Sequence, residues 1–228
     1  MGRITRRGFT ILLFCIFGSQ AYAASIVGSR HDLDALLNES MMNGAYNDYN
    51  RVCVYCHTPH GANGDGGPLW NRPTPNDSLY TVYNSSTMDT SPGTPSTISL
   101  LCLSCHDGTI AMDNVINIPN SNISIAGMHQ QMDGTGCAAC HGDPPLFTAP
   151  DLSDAFLTTD LSDDHPISMP YPTAAQDAEF VQPPPAALPL YGGMVECPSC
   201  HDVHDSDYVP FLRMDNIQSA LCTGCHIK

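Results

Sequence analysis

The chain has 228 residues, with 8 basic against 23 acidic side chains and a formal net charge of -15. That acid excess excludes a nucleic-acid binder, because too few cations are present to replace the counterions along a phosphate backbone. It equally excludes a polybasic membrane-surface binder, and the length allows one or two domains.

Residues 1–23 have the form of a secretory signal peptide. Arg3, Arg6 and Arg7 precede an apolar run over Phe9–Phe17, and Ala21-Tyr22-Ala23 supplies small residues for cleavage. The run is too short to span a bilayer, so no membrane span is expected after cleavage. Cys15 lies inside it. The remaining Ala24–Lys228 has 205 residues, with five basic against 23 acidic and a net charge of -18. Only 39 of the 205, or 19%, are Leu, Ile, Val or Phe. A share below roughly 20% with high net charge normally predicts disorder. Something other than aliphatic side chains must therefore build the core.

Along the chain, a short helix is expected over His31–Ser40, where Leu33, Leu36 and Leu37 fall at helical spacing. CVYCH follows at 53–57. Residues 84–96 read as loop, and Ser96–His106 reads as a helix delivering CLSCH at 102–106. CAACH stands at 137–141, and residues 177–189, with Pro183-Pro184-Pro185, read as linker. CPSCH occupies 197–201, and Asp215–His226 reads as a last helix delivering CTGCH at 222–226. No strand alternation persists long enough for a sheet.

All ten cysteines beyond Cys15 fall into these five motifs: Cys53 and Cys56, Cys102 and Cys105, Cys137 and Cys140, Cys197 and Cys200, Cys222 and Cys225. Each pair is followed at once by His, which is the attachment signature of c-type haem. On one helical turn positions i, i+3 and i+4 share a face, so two thiols can add to the vinyl groups while the His rises to the iron. A disulfide framework gives no reason for the following His. Structural zinc gives none either, and five pairs would leave one without a partner. A thioredoxin-like motif would occur once, not five times. Covalent attachment requires accessible thiols on an unfolded, translocated chain, which favours the general secretory route over a twin-arginine reading of Arg6-Arg7. Five haem c groups would form the core, and the apoprotein should be largely unfolded.

His57, His106, His141, His201 and His226 are the expected proximal iron ligands. Five histidines remain, His31, His60, His129, His165 and His204, which matches five distal positions. Met128, Met132 and Met169 are rival ligands. His60 and His204 each lie three residues after a proximal His and start on the proximal side of their own haem, so each is expected to serve a neighbouring haem. His31 sits on a terminal arm, and such arms are poorly ordered unless held. It is expected to ligate a haem of the next subunit, joining protomers head to tail into an open filament. The alternative is that it folds back onto its own chain.

An internal repeat is visible. CVYCHTPH, Pro68-Leu69-Trp70, Arg72 and LCLSCH are echoed by CPSCHDVH, Pro210-Phe211-Leu212-Arg213 and LCTGCH. The expected organisation is a signal peptide over 1–23 and a single five-haem domain over 24–228. Within it, two-haem units lie at about 50–108 and 195–228, and a haem motif is inserted at 137–141. The fold class is a multihaem cytochrome c, mostly irregular coil with short α-helices around a chain of stacked haems and little or no β-sheet. Trp70 is expected to pack beside a porphyrin. Asp163-Asp164, and Asp202 with Asp205 and Asp207, are weighed as calcium ligands and read as solvated acidic surface. Asn38, Asn76, Asn84 and Asn122 head glycan-type sequences.

Through CHTPHGA, PLW, LCLSCHDG, DHPISMPY, CPSCHDVH and LCTGCH the chain resembles the doubled-CXXCH multihaem c-type cytochromes. Through SIVGSRHDL at 25–33 it resembles OmcE-type extracellular filament-forming cytochromes, which carry four bis-histidine haems; the extra CAACH and His129 depart from that pattern. The resemblance implies electron transfer in the periplasm or at the cell surface. It also implies other redox proteins, or copies of itself in a filament, as partners, and an extracellular electron acceptor. A soluble periplasmic shuttle and a multihaem reductase are the alternatives. With no CXXCK variant and no spare iron, an electron carrier is expected in preference to an enzyme.

Overall fold

The computed structural model describes residues 25–39, 42–119, 128–146, 149–205 and 207–227. The expected signal peptide, Cys15 and Asn122 lie outside the described residues. Five short helices are present: α1 (Leu33–Leu36), α2 (Thr97–His106), α3 (Ala138–His141), α4 (Cys197–Cys200) and α5 (Ala220–Thr223). Strands are two residues long. β1 (Thr81–Val82) pairs parallel with β2 (Asp160–Leu161), and β3 (Met169–Pro170) pairs antiparallel with β4 (Met194–Val195). Coil with short helices and little sheet is what the composition led us to expect.

The local chemistry explains where each helix stops. Asp32 caps α1, its carboxylate accepting from the backbone N–H of Ala35 at 3.0 Å and of Gly28 at 2.7 Å. The expected helix over 31–40 shrinks to one turn because Asn38 and Glu39 bond only three residues back, to Ala35 and Leu36. α2 begins one residue after Ser96 and ends where Gly108 takes a φ of 72°, a conformation that suits glycine. The expected helix over 215–226 is broken, because Gln218 and Ser219 adopt φ of 55° and 62°. A 3₁₀ turn at Ile217–Ser219 and α5 take its place.

The side-chain core is built largely from tyrosine. Tyr46, Tyr49 and Tyr55 are each 1% exposed and cluster with Leu33, Leu37, Ala45, Met112 and Val115. Their rings meet edge to face or tilted, at 5.9 Å for Tyr46–Tyr55 and 5.2 Å for Tyr49–Tyr55. Each hydroxyl donates to a carbonyl: Tyr46 to Leu33 at 2.8 Å, Tyr49 to Asp113 at 2.6 Å and Tyr55 to Asn47 at 3.0 Å. Burial is therefore achieved without orphaned hydroxyls. A smaller cluster joins Leu100 and Leu103 of α2 to Leu161 of β2.

The internal repeat is also structural. The N–H of Thr58 donates to the Leu69 carbonyl at 2.8 Å, and that of Asp202 donates to Phe211 at 2.7 Å. Asn71 likewise donates to Cys56 at 2.8 Å and Arg213 to Cys200 at 2.9 Å. Leu69 and Phe211 share a left-handed backbone, with φ of 61° and 60°. Backbone bridges link His57 with Trp70 and His201 with Leu212. The structural counterpart of Arg213 is thus Asn71, and Arg72 lies one residue further along.

Candidate functional site

Every motif forms the helical turn that its spacing asks for. The His N–H bonds the carbonyl of the first Cys at 2.8 Å in 53–57, 3.0 Å in 137–141, 3.1 Å in 197–201 and 2.9 Å in 222–226. The motif at 102–106 lies wholly within α2. Both thiols and the imidazole of a motif therefore issue from one turn.

Three of the five motif histidines face a second histidine across a short gap. Ring centres are 6.0 Å apart for His31 and His106, 6.2 Å for His57 and His204, and 6.4 Å for His165 and His226. A ligating imidazole nitrogen sits about 2 Å from its metal and roughly 1.2 Å from its own ring centre. Two imidazoles on opposite sides of one metal would then be centred about 6.4 Å apart. Interplanar angles of 55°, 23° and 68° suit this, since each ring can turn about its bond to the metal. No described group of three or more His, Cys, Asp or Glu is arranged to hold a bare metal ion. Donors that come in twos suit an iron that already has four porphyrin nitrogens.

The imidazoles are oriented by their other nitrogen. Nδ1 of His106 donates to the Ala155 carbonyl at 2.7 Å, that of His141 to Pro150 at 2.9 Å and that of His201 to Pro210 at 2.9 Å. Nδ1 of His165 donates to Pro166 at 3.0 Å, and the His57 ring is bonded to the backbone of Pro68 and Leu69. A proton fixed on Nδ1 leaves Nε2 with its lone pair free for a metal, the usual arrangement of ligating histidines.

Thiols of different motifs also meet. The side chains of Cys102 and Cys197 are hydrogen-bonded, which raises the Cys102 thiol and lowers that of Cys197. α2 and α4 are in contact there. Burial pushes Cys56 up to about 12, and it also raises Cys105, whose charge Cys56 feels. Burial takes Cys200 up to about 11, with Cys225 and Cys222 beside it. The raised thiols Cys56, Cys102, Cys105 and Cys200 are poor nucleophiles in the closed fold, so their attachment belongs before closure. The Cys102–Cys197 bond brings the motifs at 102–106 and 197–201 together. Cys137 of the inserted motif instead packs on the tyrosine cluster, with its sulfur 3.9 Å from that of Met112.

His31 is brought inside its own chain. Its ring lies 4.5 Å from Phe211 as well as facing His106, and burial pushes its pKa down to about 4. Within the single chain this is the folded-back arrangement. Leu33 and Leu37 draw the arm into the tyrosine cluster, and Tyr46 bonds the Leu33 carbonyl. His60 and His129 are exposed. Nδ1 of His129 donates to the buried Asp113 carboxylate at 2.8 Å. Among the described residues His60, His129, His141 and His201 make no ring contact with another histidine. Of the rival methionines, Met169 lies in β3, Met132 packs on the tyrosine cluster and Met128 is exposed. Asp202 pairs with Arg213 at 3.2 Å, and Asp163 and Asp164 line an open cleft of 540 Å³ with Asp154 and Asp160.

Sequence reasoning missed the carbonyls of Pro150, Ala155, Pro166 and Pro210. No pattern marks a carbonyl, although the prolines near His165 and His201 were visible. Arg72 stands out in the sequence only as part of the repeat, and the structure shows it fully buried.

Residues 189–228 match the family model for the doubled CXXCH motif. That motif is the mark of multihaem c-type cytochromes, electron-transfer proteins with covalently bound haem c, and the irregular fold is consistent with that class. No curated protein matches the chain. Among the described residues, no helix is long and apolar enough to cross a membrane.

Proposed function

We propose that this chain is an extracytoplasmic electron carrier holding five haem c groups, each iron bound axially by two histidines. The observation that carries the reading is the set of three histidine pairs at 6.0 to 6.4 Å, each including the histidine of a Cys-x-x-Cys-His turn. Haem, when bound, supplies a reversible one-electron couple at iron. The chain does the rest. Ten thiols fix the groups, and His106 with His31, His57 with His204, and His226 with His165 close both faces of three irons. His60 and His129 are left for the motifs ending at His141 and His201.

Irons closed on both faces offer no position to substrate, which favours a carrier over a reductase. The Cys102–Cys197 hydrogen bond, with the charge influence of Cys105 on Cys56 and of Cys225 on Cys200, supports four motifs in series, and the motif at 137–141 packs at the tyrosine cluster. Partners are other redox proteins, met through an acidic surface. The placement of His31 opposite His106 supports ligation within its own chain, and filament formation through His31 is the competing arrangement.

Intact mass spectrometry and visible spectroscopy of the exported protein test this. Five attached haems, a chain starting at Ala24, sharp low-spin bands and negligible carbon monoxide binding are expected. Fewer haems would break the ligand count, and stoichiometric carbon monoxide binding at one iron would restore the reductase.

A further inference from the structure

Arg72 is fully buried, and it is the one buried basic side chain among the described residues. A buried charge is normally paired with an opposite charge, because leaving water costs several kcal/mol per ion. Arg72 is bonded only to neutral oxygens: Nε to the Ser104 hydroxyl at 3.1 Å, Nη1 to the Met112 carbonyl at 2.7 Å, and Nη2 to the carbonyls of Ser104 at 2.7 Å and Ala111 at 3.0 Å. The buried acids are engaged elsewhere. Asp32 caps α1, and Asp107 takes the hydroxyl of Tyr80 and the N–H of Thr109. Asp113 takes Asn47 and His129, and Glu196 takes Ser99 and Ser168. None of these carboxylates bonds the guanidinium; Asp107 also acts on Cys105 in the opposite sense, where Arg72 has the larger effect.

The field of the guanidinium falls between two attachment motifs. Arg72 grips Ser104, the residue before Cys105, and it follows Asn71, whose N–H bonds the Cys56 carbonyl at 2.8 Å. Its charge is felt at both the Cys56 and Cys105 sulfurs. A buried charge is screened far less than one on the surface. Reduction of ferric to ferrous haem adds one electron and no proton, so an adjacent fixed cation favours the reduced form.

We infer that Arg72 is a positioning residue that raises the reduction potential of the haems attached at 53–57 and 102–106, setting them apart from the rest of an otherwise acidic protein. This rests on the proposed haem loading. It predicts that electrons arriving at the C-terminal motifs run downhill toward the N-terminal pair. A brace without electrostatic effect is the competing role, since the same four bonds tie 71–72 to α2 and to the loop at 111–112.

The test is a redox titration of the full-length haem-loaded protein and its variants Arg72→Gln, Arg72→Lys and Ser104→Ala, after each is checked for five haems and low-spin bands. Absence of haem from the wild-type protein would defeat the loading itself, a failure distinct from that of the inference. Arg72→Gln should move two of the five one-electron steps toward the oxidised form on the order of tenfold, or 59 mV for a one-electron couple. Arg72→Lys keeps the charge and should titrate like wild type. Ser104→Ala removes a bond of the brace and should lower stability without moving the potentials. Unchanged potentials in Arg72→Gln overturn the inference, as does an equal fall in Ser104→Ala. If Arg72→Gln fails to load haem, the neutral Arg72→Met, which keeps the apolar stem, takes its place: a fall on the order of tenfold in two steps supports the charge, and wild-type potentials refute it.

Discussion

Replacing His31 by alanine removes a half-buried ring that faces His106 at 6.0 Å and packs edge-on to Phe211 at 4.5 Å. The pocket around it is dry enough to push the imidazole down to about 4, so water is a poor substitute for the lost nitrogen. One iron in five should turn high-spin and bind carbon monoxide, while all five haems stay covalently attached. Loss of the ring packing should cost about 2–4 kcal/mol, of which the Phe211 contact accounts for about 0.5–1.5 kcal/mol. For a domain of this size that is a fall of about 5–15 °C in the melting temperature. Electron paramagnetic resonance with a carbon monoxide titration reads the spin state, and light scattering reads the assembly. Because the pairing lies within one chain, the oligomeric state should not change. Polymers present in the wild type and lost in the variant would show that His31 acts between subunits. An all-low-spin spectrum with no replacement ligand would show that it binds no iron.

His204→Ala should make the iron of the first motif high-spin, although His204 belongs to the sequence of the fourth; a change confined to the fourth motif's iron contradicts the pairing. Tyr49→Phe deletes the buried hydroxyl that donates to Asp113 at 2.6 Å. It should cost about 1–2 kcal/mol in urea denaturation and leave the haem spectrum unchanged. Gly66→Ala would drive a Cβ into the Trp70 ring, which itself lies against His57 at 5.8 Å. Overpacking there should cost about 1–3 kcal/mol and perturb the bands of the first haem. A stability equal to wild type would mean that Trp70 is free to move.

The attachment residues were legible because a covalent motif is written in consecutive residues: five Cys-x-x-Cys-His strings need no tertiary information. α2 was legible too, since Leu100 and Leu103 carry its apolar face and Ser96 opens it. The crossed partnership of His204 with His57 was half legible. Spacing denied His204 its own haem, but no local pattern named the acceptor. Tyr46, Tyr49 and Tyr55 were not singled out, because tyrosine counts toward neither the aliphatic core nor the charge balance. Their three hydroxyls find carbonyls only once the chain has folded. Arg72 was seen as a repeat marker, while its burial depends on carbonyls of residues 104, 111 and 112, which no sequence pattern displays. His31 went the other way. A terminal arm has no local reason to fold back, and Leu33 and Leu37 gain one only from the tyrosine cluster.

The duplicated unit is therefore not a pair of beads on a string. A histidine three residues after a proximal ligand would start on the wrong side of its own haem, so under the proposed loading the copies exchange ligands. His204 crosses to His57 and Glu196 reaches Ser99 of α2. The arm of the first copy brings His31 against Phe211 of the second. Closing a contact across the roughly 150 residues between His57 and His204 costs only about 3 kcal/mol more than closing a five-residue loop, because loop entropy grows with the logarithm of length. One axial bond, or one buried aromatic contact with its flanking hydrogen bonds, offsets that. A chain whose last 205 residues are only 19% Leu, Ile, Val or Phe could not make many such long closures from side-chain burial alone. With ligands exchanged between copies, each haem that binds also fastens two distant segments, and the same few residues that carry electrons hold the fold.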